Sequence, residues 1–242
     1  MYNYKLILQY DGRRYAGWQF QENALTVQKV VKDSIQQILQ EEVNLIGAGR
    51  TDAGVHALGQ VANFAIQRVL DLYKFKYSLN SVLPEDISIT DIEIVNESFH
   101  SRFSAKWRSY IYLISNQKSV FYNRYSYTHY SEFNTNKLNE ISAGVIGQKD
   151  FTSFSKINPE VQNKTCDVLE ARWRKEKNLF IFYIKANRFL YGMVRAIVGT
   201  IINAYSAPDP VGYIQNILEL RNRDAAGDSV PAKGLFLYKI KY

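Results

Sequence analysis

The sequence predicts an α+β fold of two ferredoxin-like units with antiparallel sheets, each of βαββαβ order, packed around a central cleft. Three observations predict it. Strand-period and helix-period apolar patterns alternate in the order β-α-β-β-α-β over the first hundred residues. The second half repeats much of that order. No Pro/Ser-rich linker separates the halves, which points to packed sheets rather than tethered domains.

Tyr4 to Tyr10 alternates and stops at Asp11-Gly12, a strand ending in a turn. Thr26 has the character of an N-cap, and Val27, Val30, Val31, Ile35, Ile38 and Leu39 share one face at helical spacing. Val43 to Ile46 is a short apolar strand and Val61 to Ile66 a second. Tyr73 to Leu83 is helix-compatible until Pro84 ends it, and Ile87, Ile89, Ile92 and Ile94 make a last strand with a slip in its alternation.

In the second half, Tyr110 to Ile114 reads as a strand and Thr135 to Ile146 as a helix. Val168 to Trp173 and Phe180 to Ile184 form a hairpin around Glu176-Lys177-Asn178. Phe189 to Ile202 is a helix with a broad apolar face, Val211 to Leu220 another, and Leu235 to Tyr242 the final strand. The run Tyr122 to Tyr130 reads as a half-buried strand more readily than as a stacking platform. The halves divide near residues 100 to 108, giving domains 1–105 and 106–242.

The 242 residues carry a formal net charge of +7, which makes a polyanion the first partner to consider. Eighteen Tyr and thirteen Phe would serve base stacking as well as core packing. A single cysteine, Cys166, excludes an intramolecular disulfide and suits a reducing compartment. The histidines His56, His100 and His129 lack metal-ligand spacing, so no metal is expected. The first ten residues do not have the pattern of a signal sequence and no apolar run reaches membrane-spanning length, which leads us to expect a cytoplasmic protein.

The run Gly47-Ala48-Gly49-Arg50-Thr51-Asp52-Ala53-Gly54-Val55-His56 combines glycines, which let a backbone approach a ligand closely, with a cation, a hydroxyl and a carboxylate in succession. It lacks the Lys-Ser/Thr of a phosphate loop and leads into a strand, not a helix. A plain turn would account for its glycines and for Asp52 but not for the whole string.

Gly49 to Ala57 resembles the signature of the TruA family of tRNA pseudouridine synthases. Other segments agree in order: Tyr10-Asp11-Gly12 with Gly17-Trp18-Gln19, Phe99 to Ala105, Asp150 to Phe154, Met193-Val194-Arg195 with Val198-Gly199, and Pro231 to Leu235. The resemblance implies isomerisation of uridine to pseudouridine at positions 38 to 40 of the tRNA anticodon stem and loop. It further implies a homodimer that uses no cofactor or metal. Asp52 is then the catalytic carboxylate, and Arg195 the cation that keeps it ionised.

On a helix begun at Arg188, residues 188 and 195 share a face beside the apolar stripe. Strand period puts Tyr110 and Tyr112 on one face without choosing between them; the family pattern selects Tyr110 to pack on the target base. Arg50 is placed to fill the vacated stack or hold a flanking phosphate once the base is flipped. Phe99, His100, Arg102, Lys106, Arg108 and Lys164 are candidate RNA contacts. His56 reads as a hydrogen-bonding residue of the loop rather than a base. Where many family members carry Thr followed shortly by Arg, Thr165-Cys166-Asp167-Val168 has no Arg. A non-catalytic RNA binder of two ferredoxin-like domains would not require Asp52, and a glycoside or nucleoside hydrolase would require a second carboxylate that the loop lacks.

Overall fold

A computed structural model describes residues 1–156 and 161–242. In chain order its elements begin with β1 (Tyr2–Tyr10), α1 (Val27–Leu39), β2 (Ile46–Gly47), β3 (His56–Ile66), α2 (Leu72–Val82) and β4 (Ile87–Val95). There follow β5 (Trp107–Ser115), β6 (Tyr127–Thr128), α3 (Thr135–Ala143), β7 (Gly147–Asp150), β8 (Thr165–Glu176) and β9 (Leu179–Ala186). Last come α4 (Met193–Ala204), α5 (Pro210–Leu220) and β10 (Leu235–Lys241). The architecture is mixed α and β with mostly antiparallel pairing. Among the described residues no helix is long and apolar enough to cross a membrane.

The chain divides into two compact units, residues 1–106 with 236–242, and residues 107–235. In the first unit the strand order is β4-β1-β3-β10, with β2 pairing β3. Strands β1, β3 and β4 pair antiparallel, while β10 joins β3 in parallel through Phe236 opposite His56 and Leu237 opposite Ala57. Thr26 caps α1 by accepting from Lys29 N, and Val27, Val31, Ile35 and Leu39 bury the face turned to the core.

The slip among the isoleucines has a physical origin. Ile7 pairs with Asp91 and Leu8 with Ile89, so Thr90 is an extra residue in β4. Its hydroxyl donates to Ile7 O at 3.0 Å. The bulge is what allows Ile89 and Ile92, at odd spacing, both to be buried.

Two expectations for this unit change. Instead of Val43 to Ile46, only Ile46–Gly47 is strand; Val43 and Leu45 are buried anchors in an irregular segment, and Ile46 O is taken by the Ser101 hydroxyl at 2.7 Å. Strand β3 begins at His56, five residues before the apolar run at Val61, because its pairing with β1 extends to Ala57.

In the second unit the order is β5-β9-β8-β7, all antiparallel, with β6 beside β5 in parallel. Its element sequence therefore carries an extra helix and extra short strands relative to βαββαβ. The β8–β9 hairpin turns at Lys177, whose φ is 53°. Phe151, Phe154, Phe180, Phe182 and Ile197 are fully buried.

Three boundaries differ from the sequence reading. Helix α4 starts at Met193, not Phe189, because Gly192 takes a φ of 73° and breaks the turn before it. Arg188 is accordingly not on the helix that carries Arg195. Helix α3 ends at Ala143, where Gly144 and Val145 close a tighter turn. Only Tyr127–Thr128 of the Tyr122 to Tyr130 run is strand, since the Ser119 hydroxyl accepts from the amides of Phe121 and Tyr122 and folds the preceding residues into turns.

Candidate active site

The Gly-rich loop joins β2 to β3 in the first unit, and the chain following β1 holds it along its length. Tyr10, at the end of β1, shares a buried hydrogen bond of 2.8 Å with the Thr51 hydroxyl. Trp18 N donates to Thr51 O at 3.1 Å and Gly54 N to Tyr15 O at 3.3 Å. Gln60 Nε2 donates to Gly49 O at 2.9 Å, tying the loop's start to β3. Thr51 and Val55 are buried, whereas Asp52 between them is half-exposed and Arg50 is exposed. The anchors on either side of Asp52 are thus fixed in the core while Asp52 itself is only partly buried.

Close approach explains two glycines. A Cβ on Gly17, whose φ is 101°, would lie 2.5 Å from Thr51 O. One on Gly12 would lie 2.0 Å from Val55 O. Both positions exclude side chains so that the segment after β1 can lie against the loop backbone.

At the loop's end His56 is buried and stacks on Phe236, with ring centroids 4.6 Å apart. Its Nδ1 lies 3.1 Å from Gly12 N. Asp11 Oδ1 lies 3.2 Å from the same Nδ1. Burial raises the Asp11 pKa, but hydrogen bonds from the Arg13 side chain and amide, with the charges of His56 and Arg13, outweigh it and lower the value to about 2. His56 is therefore an internal fastener of the loop.

In the second unit Tyr110 and Tyr112 do share a face of β5, and their surroundings separate them. Tyr112 is fully buried, its hydroxyl donates to Pro231 O at 2.8 Å, and a Cβ on Gly234 would meet its ring at 2.7 Å. Burial pushes its phenol far above the ordinary range, with the Arg195 charge offsetting only part, so it stays protonated. Tyr110 is buried edge-on to Phe189, with centroids 5.0 Å apart.

Arg195 lies in the first turn of α4, half-buried. Its Nε donates to Val230 O at 2.7 Å, and Val230 N donates back to Arg195 O at 3.3 Å. Residues 227 to 231 are strapped to the helix: Gly227 N donates to the Thr200 hydroxyl, and Gly199 leaves room for Asp228 O.

Among the candidate RNA contacts, Phe99 packs on Tyr242 at 4.8 Å and its carbonyl accepts from Asn3, so it is largely a structural residue. His100 Nδ1 accepts from the amides of Arg102 and Phe103, which leaves Arg102 exposed over the Phe103 ring. Lys106 is exposed; Arg108 donates to Asn187 O at 3.2 Å. Lys164 is half-buried; near it, burial would raise the pKa of Asp150, but hydrogen bonds from Thr152, then the charges of Arg221 and Lys164, hold it below its ordinary value. Arg50 and Asp52 thus share the loop of the first unit, together with Phe99, His100, Arg102 and Lys106 after β4. Tyr110, Arg195, Arg108 and Lys164 belong to the second. Among the described residues no group of three His, Cys, Asp or Glu side chains is placed to hold a metal.

Sequence reasoning assigned no role to Tyr10, Gly17 or Tyr112. Tyr10 and Gly17 stood inside segments of the family pattern; Tyr112 carried no signal beyond strand period.

The chain matches the family described as tRNA pseudouridine synthase over residues 6–104 and 141–242. It is 40% identical over 244 residues to tRNA pseudouridine synthase A of Clostridium acetobutylicum, with 100% of both chains covered. The enzyme of that name from Caldicellulosiruptor saccharolyticus is 41% identical over 245 residues, again with 100% of both covered. The one from Bacteroides thetaiotaomicron is 38% identical over 245 residues, covering 100% of this chain and 91% of the relative. Among solved structures, the archaeal box H/ACA sRNP Nop10-Cbf5 complex aligns with 93% of this chain and 59% of that one, at 12% identity and a TM-score of 0.42.

Proposed function

The chain belongs to the tRNA pseudouridine synthase family, an isomerase acting on uridine in tRNA, and on that premise we propose that Asp52 is its catalytic carboxylate and that its targets are positions 38 to 40 of the anticodon stem and loop. The observation that carries this reading is Asp52, only partly buried, held between two buried anchors, Thr51 and Val55.

The reaction breaks the bond from C1′ to N1 of uracil, turns the base, and joins C1′ to C5. The C5 proton is released and N1 takes one up, so no oxidant or water is consumed and no cofactor is required. Asp52 serves as an ionised group, whether it attacks C1′, attacks C6, or removes a sugar proton. Covering the site with RNA desolvates it and raises its pKa; a cation in contact lowers an acid's pKa by about 1 to 3 units. Arg195 is that cation in our reading, its guanidinium oriented by Val230 O.

Tyr110 packs on the flipped base, for which Tyr112, committed to Pro231, is not available. Arg50 fills the vacated stack or holds the flanking phosphate. Arg102, Lys106, Arg108 and Lys164 hold phosphates, with Phe99 and His100 shaping the segment that presents Arg102. The order β4-β1-β3-β2 in the first unit supports a ferredoxin-like reading, which we extend to a degenerate copy in residues 106–242. A homodimer in the cytoplasm completes the proposal.

Tritium release from tRNA carrying 5-tritiated uridine tests it. Wild type should release label, and Asp52→Ala should release it at least about a thousandfold more slowly. Release that survives the substitution overturns the role of Asp52. Pseudouridine mapping that finds positions 38 to 40 unchanged by the enzyme overturns the substrate.

A further inference from the structure

The turn-rich segment from Gln117 to Ser131 has no place in the chemistry above. It holds Lys118 and Arg124 and no acidic residue. It also lies within residues 105–140, the one internal stretch that the family match leaves uncovered. Phe121 is 80% exposed and Tyr130 75%, with Val120 and Tyr122 exposed beside them.

That exposure is built rather than accidental. Ser119 accepts from two successive amides through its hydroxyl, and its carbonyl accepts from Asn123 N at 3.0 Å. Tyr122 O accepts from the Ser126 hydroxyl at 2.8 Å. The turn is held closed, and Phe121 is at its apex. An aromatic presented this way loses little conformational freedom on binding.

The segment is also tied to the elements that hold Arg195. Lys233 Nζ donates to both Asn123 O and Asn123 Oδ1, at 2.8 and 2.9 Å. Two residues before Lys233, Pro231 O takes the Tyr112 hydroxyl, and Val230 O takes Arg195 Nε. A polynucleotide lying over Arg195 would meet this turn along the same strap.

We propose that the turn around Phe121 is a second tRNA-binding surface, on which Phe121 stacks an unpaired base and Arg124 and Lys118 hold the flanking phosphates. The proposal rests on tRNA being the substrate. Two cations and no acid among these fifteen residues favour a polyanion such as RNA as the occupant.

The test measures tRNA binding in the Asp52→Ala background, which permits equilibrium without turnover, and kcat and KM in the otherwise wild-type enzyme. Phe121→Ala should weaken binding about tenfold and raise KM to match, with kcat at saturating tRNA unchanged. Phe121→Trp, which keeps a stacking surface, should restore both. Arg124→Ala should reduce the slope of log affinity against log salt by about one.

Unchanged affinity in Phe121→Ala, or a loss that Phe121→Trp fails to restore, overturns the proposal. So does a Phe121→Ala variant that binds tRNA normally but sediments as a smaller species, which would assign the turn to self-association. If wild type itself releases no tritium, the enzymatic reading fails; if it releases tritium and these variants bind normally, only the second surface fails.

Discussion

Asp11 carries two obligations at once, holding Arg13 through charged hydrogen bonds and standing against the ring of His56. Its folded pKa of about 2 lies below the ordinary 3.8, so the folded state binds its proton more weakly than the unfolded chain does. The stabilisation is fully present above pH 3.8 and is lost as pH falls from there through the folded value. Because the pair with Arg13 is partly open to solvent, the shift is worth about 1 kcal/mol at neutral pH after screening. Urea unfolding should therefore find Asp11→Asn less stable than wild type by about that amount at pH 7, with the gap closing as pH is lowered from about 4 towards 2. A gap that stays constant over that range would remove the charge of Asp11 from the account. The Gly-rich loop drew attention at this scale through a cation, a hydroxyl and a carboxylate among glycines, and its functional reading came from the family resemblance, not from spacing. What grips it was not legible: Tyr10 and Thr51 are 41 positions apart, and no local pattern announces a hydroxyl pair closed across that distance.

Elements were legible in kind and less so in extent. Helix α1 and the β8–β9 hairpin fell where period and turn chemistry put them, and even the slip in β4 was visible as a change of parity among isoleucines. Helix α4 was read as starting four residues too early because the apolar pattern of Phe189 and Leu190 runs on through Gly192, whose left-handed backbone is invisible to periodicity. A glycine of the same helix contrasts with one in the Gly-rich loop. A Cβ on Gly199 would lie 1.9 Å from Asp228 O, so Gly199→Ala must push residues 227 to 231 off α4 and move the carbonyl that orients Arg195. Overpacking of this kind costs about 1 to 3 kcal/mol. Thermal unfolding should show the loss, and tritium release should fall with it. Gly49 has nothing within 4 Å of its Cβ position, so Gly49→Ala should leave the unfolding temperature within about a degree of wild type. Equal stability of the two variants would contradict the packing described for α4.

At the scale of the molecule, the first unit is discontinuous: residues 236–242 count with residues 1–106. They supply a parallel partner to β3, the Phe236 ring under His56, and the Tyr242 hydroxyl that donates to Ser101 O. Removing residues 236–242 should abolish tritium release and speed hydrogen exchange at the amides of 56 and 57. Cys166, buried in β8 with its thiol pushed up to about 11, provides a control in the second unit. It should resist alkylation in the shortened chain as in the whole one; rapid labelling would mean that the loss is not confined to the first unit. Sequence patterning found the final strand but had no means of telling which unit it joins, because strand pairing depends on contacts distant in the chain. The discontinuity also sets a timetable for synthesis. At about 5 to 20 residues per second, the ribosome needs on the order of ten seconds to pass from the end of the first stretch to the strand that completes it. During that interval the β3 edge of the nascent chain is open to pairing with other polypeptides, and the loop bearing Asp52 ends on an unsupported histidine. A message cut short anywhere in the second unit yields a chain lacking the strand that seals the end of its own Asp52 loop.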